Sequence, residues 1–553
     1  MSIVAHLIAG APYRRLARQQ TRAAENRTFV RDRVISMAMA AIVTATLSGC
    51  AGSSTKDVQE GFFGALAVEE PRAALLARDV LVSGGSAADA AVITYFALAA
   101  TLPSSGGLGA TGSCVVFEPA KSPRFERLEF FATPASTSGP TVSLPTGPRA
   151  MFALNARYGR TKFEELVIAA ERLARFGEPV SRSLALDLAA DGTALNGDPE
   201  TARVFLPGGR ALGQQDSLVQ LDLSATLGRL RGEGVGALYA GPTAKEFVEA
   251  AARAGFAVDP ARLRDALPKW STVQGLEHDN HLWAVAGQDL RDTALSEMTL
   301  TLAFDGADWE DGDAARRRHL LAEAMSRASA AVAAGARNLG ADAAEDAMAG
   351  YDPGRRGLVS SRSRLADTLG ERGIERSGAT GFYMVDRSGM AVGCAIGLGA
   401  PFGTGKMAPG FGFLLGRPTV AGGDGPGAAA LVVGNPHTGQ LHLAMAASGG
   451  RPALSALLAS ALDHWELQED LEAVIAAPRT HYAGGDDTMA AEPTLPAEQG
   501  SELEAIGYRL SKQPELGRVS GFRCVEGIPR RELRCEAGID PRSRGLGFFE
   551  RGK

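Results

Sequence analysis

Two short apolar runs around a polar break dominate the C-terminal half of the chain: Phe382–Asp386 and Met390–Ile396, with Arg387-Ser388-Gly389 between them. Runs of this length and apolarity predict buried strands, and Ser388-Gly389 supplies the positive-φ position a tight hairpin needs. A loop punctuated by seven glycines then leads to Gly416. Ala428–Val433 and Leu441–Ala446 repeat the arrangement around the turn Asn435-Pro436-His437-Thr438-Gly439. In the N-terminal half the period changes. Phe163, Leu166, Val167, Ala170, Leu173 and Ala174 recur at helical spacing, and Gly177-Glu178-Pro179 ends that helix. A long apolar helix is predicted from Ser86 to Leu102, another around His319–Ala324, and strands over Cys114–Glu118 and Leu128–Phe131. Helical and strand segments alternate throughout, with no internal repeat.

One loop invites a nucleotide reading and excludes it. Gly107, Gly109 and Gly112 have the spacing of a dinucleotide fingerprint, but that motif leaves a strand and opens a helix. Here a helix precedes and a strand follows.

Composition narrows the class further. Of 553 residues, 45% are hydrophobic and 22% charged, as in soluble globular proteins. A net charge of −6 offers no electrostatic footprint for nucleic acid. Cys114 and Cys394 sit in apolar strand patterns, where a free cysteine acts as a small hydrophobe. Cys524 and Cys535 flank a predicted hairpin about Ile528-Pro529-Arg530-Arg531, whose equal arms would set them opposite each other for a disulfide outside the cytoplasm. No Cys/His cluster suggests a metal, no cofactor is indicated, and His278 and His281 read as a surface pair without acidic partners.

The first fifty residues stand apart. Arg31 and Arg33 precede an apolar run, Val34–Leu47, too short to span a bilayer but of secretory length. Leu47-Ser48-Gly49-Cys50 resembles a bacterial lipobox, which makes Cys50 the lipidated first residue of a mature chain on the periplasmic side of the cell envelope. Residues 51–62 then form a tether, and the true start is expected near Val30.

The run from Arg376 to Gly416 resembles the segment that opens the small subunit of γ-glutamyltransferases (glutathione hydrolases), members of the N-terminal nucleophile hydrolase class. Val385-Asp386-Arg387-Ser388-Gly389, Phe402-Gly403-Thr404-Gly405 and Gly412-Phe413-Leu414-Leu415 fall into that pattern without a gap. Gly84-Gly85-Ser86-Ala87-Ala88-Asp89-Ala90-Ala91, Ala477-Pro478-Arg479 and Asp540-Pro541-Arg542-Ser543 extend the resemblance over residues 60 to 548. It implies an α+β fold, a four-layer αββα sandwich, with residues 63–378 resembling the large subunit and 379–553 the small one.

In this register the family's catalytic threonine falls on Ala379, whose methyl has no lone pair to attack with. Thr380 is one residue on. A one-residue slip in a strand turns a side chain to the opposite face, so Thr380 could serve as nucleophile only through a bulge. The family's carboxylate-gripping arginine falls on Phe130, its asparagine on Gly399, its serine pair within Gly425–Ala428, and its later asparagines on Gly416-Arg417-Pro418. Ser448-Gly449-Gly450 resembles the family's turn whose N–H groups stabilise the oxyanion, although φ > 0 alone would also explain the glycines. Two readings follow. One is a lapsed relative that binds or scaffolds; the other is an active amidohydrolase using Thr380, Gly449 and Gly450. Ser448 and Phe130 are the candidate substrate contacts for a small γ-glutamyl ligand or, since Phe130 and Ala428–Ala430 make the pocket more apolar than the family's, for a hydrophobic amide or peptide.

Overall fold

The computed structural model describes residues 62–273, 275–305, 309–335, 346–357, 378–418, 427–484, 487–530 and 534–551. Cys50 with its leader, the tether up to residue 61, residues 358–375 and Gly425-Pro426 lie outside the described residues.

Strands are numbered here along the chain, counting those of the two large sheets. In the first, seven-stranded sheet the neighbours are β13 (Leu546–Arg551), β1 (Phe62–Val68), β7 (Ala379–Asp386), β8 (Ala391–Gly397), β2 (Thr111–Glu118), β3 (Arg124–Phe130) and β4 (Lys269–Thr272). In the second, six-stranded sheet they are β12 (Cys535–Ile539), β11 (Arg518–Ile528), β10 (Leu441–Ser448), β9 (Ala428–Gly434), β6 (His281–Ala286) and β5 (Leu276–His278). All pairings within these sheets are antiparallel.

Strand periodicity sorts the side chains into three cores. Leu66, Cys114, Leu128, Phe382, Met384 and Ile396 project from the first sheet into a core shared with the helices Pro71–Val82, Ala87–Thr101, Gly147–Tyr158 and Phe163–Phe176. From its other face Ala65, Ala67, Ala379, Tyr383, Val385 and Ala395 meet Ala284, Ala428, Ala430, Ala444 and Ala446 of the second sheet. The far face of the second sheet, with Trp283, Leu431, Leu443 and Met445, packs on helices Leu290–Phe304, Ala314–Ala333 and Pro452–Leu467. The result is a four-layer αββα sandwich, as the family resemblance implies and the alternation of helix and strand periods agrees with.

The middle layer is thin because it is built of alanine and glycine. A Cβ on Gly381 would lie 2.4 Å from the Ala447 carbonyl and 2.7 Å from that of Ala429. Gly381→Ala is therefore expected to force the sheets apart at a cost of about 2 kcal/mol, in the range of overpacked cores. An unchanged urea midpoint would show that the sheets do not approach this closely.

The β7–β8 turn forms where the sequence placed it. Gly389 has φ +83°, and Asp386 Oδ1 accepts from the Ser388 amide (2.8 Å) and hydroxyl (2.6 Å). The strand begins at Ala379, however, three residues before the apolar run. The helix Ala87–Thr101 is buried along its whole length, which accounts for its uniform apolarity. Ser86 and Asp89 close its N-terminus as a capping box. Asp89 also accepts from Asn155 Nδ2 (2.8 Å) and the amides of Arg160 (2.8 Å) and Thr161 (3.1 Å), so this signature is structural.

The structure corrects the reading of two cysteines. Cys114 and Cys394 are not free: they face each other across β2 and β8 and form a disulfide with Cα atoms 4.1 Å apart. Cys524 and Cys535 form a second, across β11 and β12.

Two buried histidines, His464 and His481, and the half-buried His442 make stability depend on pH. Burial pushes His442, His464 and His481 down to about 4, helped at His481 by the Arg451 charge and at His442 by His281. The unfolded chain takes up these protons near pH 6.5 and the native one only near 4. Stability is accordingly complete above pH 6.5 and lost as pH falls toward 4. At pH 5 the fully buried His481 alone should account for about 2 kcal/mol. Urea midpoints at pH 7.5 and 5.0 measure this, and equal values would refute it.

Candidate functional site

The site is built around the first residues of β7. Ala379, Thr380 and Gly381 pair in unbroken succession with Gly397, Ile396 and Ala395 of β8. No bulge interrupts this register, so the pleat assigns opposite faces to Ala379 and Thr380. Ala379 joins the core between the sheets. Thr380 alternates in line with Phe382 and Met384 along the strand, yet its hydroxyl lies against Ser448 of β10 in the second sheet. Its Oγ1 lies 3.4 Å from Ser448 Oγ, its one side-chain hydrogen bond among the described residues, and Ser448 Oγ also accepts from the Gly381 amide at 2.9 Å. Among the described residues no carboxylate, amine or imidazole is hydrogen-bonded to that hydroxyl.

A ring of polar contacts surrounds Ala379. Gln288 Oε1 accepts from the Gly427 amide at 2.8 Å. Its Nε2 fills the space beside Gly397, where a Cβ would come within 2.3 Å of it and 2.9 Å of Ala379 Cβ. The Gly427 carbonyl in turn accepts from the Gly450 amide at 3.2 Å. Gln288 belongs to no motif in the sequence, and only the approach of β6 to β9 brings it here. Gly449 and Gly450 follow β10 with φ of +107° and +88°, so the turn requires glycine on backbone grounds alone. The Gly450 N–H is engaged by Gly427 in this arrangement.

Phe130 is not a ligand contact. It ends β3 opposite Gly112 and is 2% exposed, in the core beneath the helices. Pleat parity with Leu128 puts it there. Gly399 has φ +78°, and a Cβ on it would lie 3.0 Å from the Arg417 carbonyl, so this loop has closed over the space a longer side chain would need.

Next to Gly381 and Ser448 lies a small polar recess lined also by Glu69, Ser520 and Ser543. Arg518 Nε donates to Glu69 Oε2 (2.8 Å), and Ser543 Oγ to Glu69 Oε1 (3.2 Å). Burial works to lower the Arg518 pKa, but Glu69 and Glu515 outweigh it and hold the guanidinium above its ordinary range. Behind it Arg479 pairs with Asp540 at 2.6 Å, both buried, so two of the sequence motifs bind each other.

His278 also departs from its sequence reading. Its Nε2 lies 2.8 Å from Glu466 Oε1 and 3.5 Å from Asp279 Oδ2, and the three donors lie within 4.8 Å of one another. The acidic partner comes from a helix 188 residues away. The hydrogen bond to Glu466 accounts for this geometry, and it assigns no metal role.

An αββα sandwich built on two stacked antiparallel sheets is the architecture of the N-terminal nucleophile hydrolase class. The sequence pattern described as Gamma-glutamyltranspeptidase matches residues 73–418 and 428–548, and the chain belongs to that family. The glutathione hydrolase proenzyme of Bacillus subtilis is 25% identical over 533 residues, covering 84% of this chain and 89% of that one. The glutathione hydrolase proenzyme of Pseudomonas aeruginosa is 26% identical over 538 residues, covering 88% and 94%. In fold, the crystal structure of cephalosporin acylase from Bacillus halodurans matches with a TM-score of 0.71 at 18% identity, over 92% of this chain and 99% of that one.

Proposed function

We propose that this chain is a lapsed γ-glutamyltransferase that binds a small γ-glutamyl, amide or peptide ligand, or acts as a scaffold, without turning the ligand over. What supports the reading is that the family's nucleophile position falls on Ala379, in a strand whose register with β8 runs without a break through Thr380. A methyl group cannot attack a carbonyl, and in an uncut chain Thr380 has no free α-amine to act as its base. The buried Phe130, the closed Gly399 loop and the engaged Gly450 amide support the same reading, since each removes a contact that γ-glutamyl turnover would use. In this proposal residues 1–50 are a leader, Cys50 carries the lipid, and the protein faces the periplasm of a bacterial envelope. No helix among the described residues is long and apolar enough to cross a membrane, so the anchor would be the acyl chains.

Intact mass and a reduced, denaturing gel of the purified protein test this. A single chain is expected. Two fragments, the smaller beginning at Thr380, would refute the reading and assign Thr380 as the nucleophile with Gly449 and Gly450 as oxyanion donors. Globomycin-sensitive processing at Cys50 tests the anchor separately.

A further inference from the structure

On the helical side of the second sheet, away from β7, the helices Ala314–Ala333, Pro452–Leu467 and Leu471–Ala476 enclose a second cleft with the segment that carries Pro478 and Arg479. It opens to solvent at its mouth, and its empty space of about 500 Å³ includes that open solvent. Trp309, Leu321, Ala456, Val474 and Pro478 give it largely apolar walls.

Three guanidinium groups also line it, and their charges do not balance. Arg317 pairs with Asp463 at 3.0 Å, and Arg479 with Asp540 at 2.6 Å. Arg318 has no carboxylate within ion-pair distance among the described residues. It donates instead to two carbonyls, Nη1 to Ala314 and Nη2 to Pro478, each at 3.0 Å. Those bonds hold the guanidinium in place and, among the described residues, leave the rest of its five donors uncommitted. Burial disfavours its charge and lowers its pKa, with Arg317 adding to the effect and Asp463 opposing it. Asp463 is itself committed, accepting from Trp309 Nε1 at 3.1 Å.

An unpaired cation held in a mostly apolar cleft is costly unless an anion comes to it. We infer that this cleft is a binding site for a small organic monoanion, a carboxylate with an apolar or aromatic body, held by Arg318 with its body against Trp309, Leu321 and Val474. One uncompensated guanidinium matches one negative charge, and its planar fork suits a carboxylate. The apolar walls disfavour a dianion such as phosphate. The inference does not depend on whether the β7 site is catalytic, because no residue is shared between the two.

Isothermal titration of the purified protein with phenylacetate, phenylacetamide and inorganic phosphate tests it. Phenylacetate should bind more tightly than its neutral amide by about tenfold or more, the scale of a charge-assisted contact, and phosphate should not bind. Arg318→Met keeps the aliphatic stem and should reduce phenylacetate to the affinity of the amide. Because Arg318 also ties two segments together, the comparison of acid with amide on the unaltered protein carries the test without any variant. Equal affinities, no binding of phenylacetate, or phosphate binding as tightly as phenylacetate would each overturn the inference.

Discussion

Cys394→Ala is expected to lower the unfolding free energy by about 4 kcal/mol, a large share of the stability of an ordinary domain. The bond to Cys114 closes a loop of 280 residues, and the chain-entropy relation gives roughly 5 kcal/mol for a loop of that size, with measured values running somewhat lower. The position adds to this, since both sulfurs are fully buried between β2 and β8 and no water can replace the lost contact. The 11-residue separation of Cys524 and Cys535 predicts a smaller loss, about 3 kcal/mol on the same relation. Urea unfolding of the two alanine variants, with and without reductant, ranks them. If reductant moves neither midpoint, these bridges do not hold the fold.

Hydrolysis of a γ-glutamyl anilide is the second large effect. Loss of a nucleophile costs on the order of a million-fold in turnover, so the protein is expected to show no detectable release of the aniline. Thr380→Ala should change nothing, because among the described residues the hydroxyl it removes bonds to Ser448 and to no ionisable group. Ala379→Thr should not restore activity either. The carboxylate clamp is absent at Phe130, and a larger residue at 379 enters a layer where Gly397 already leaves only the room Gln288 fills. A measurable rate in the unaltered protein that vanishes in Thr380→Ala would reverse the proposed function.

What the sequence disclosed was what a short stretch of chain decides for itself. The β7–β8 hairpin was legible because Ser388 and Gly389 fix the turn between two apolar runs, and the Cys524–Cys535 pair because its hairpin is local. The long helix after Ser86 was legible for the same reason. The Cys114–Cys394 bond was not, since each cysteine alone looks like any small apolar residue in a strand and the two are 280 residues apart. Glu466 and Gln288 escaped likewise: each gains its role from sheet packing, with no spacing in the sequence to announce it. Phe130 failed differently. Its family position suggested a ligand contact, but strand parity, which the boundary of β3 decides, turns it into the core. The motifs around Arg479 and Asp540 were recognised as signatures before their reason was visible, which is that they neutralise each other.

The Cys114–Cys394 bond has a bearing on how cleavage would be seen. Cys114 lies before residue 379 and Cys394 after it, so scission of the backbone between Gly378 and Ala379, or between Ala379 and Thr380, would leave both pieces joined through sulfur. Without reductant, the nicked particle would migrate with the uncut one and differ in mass by a single water. Any apparent integrity of this protein taken from a non-reducing gel would therefore report on the sulfur bridge and not on the peptide bond.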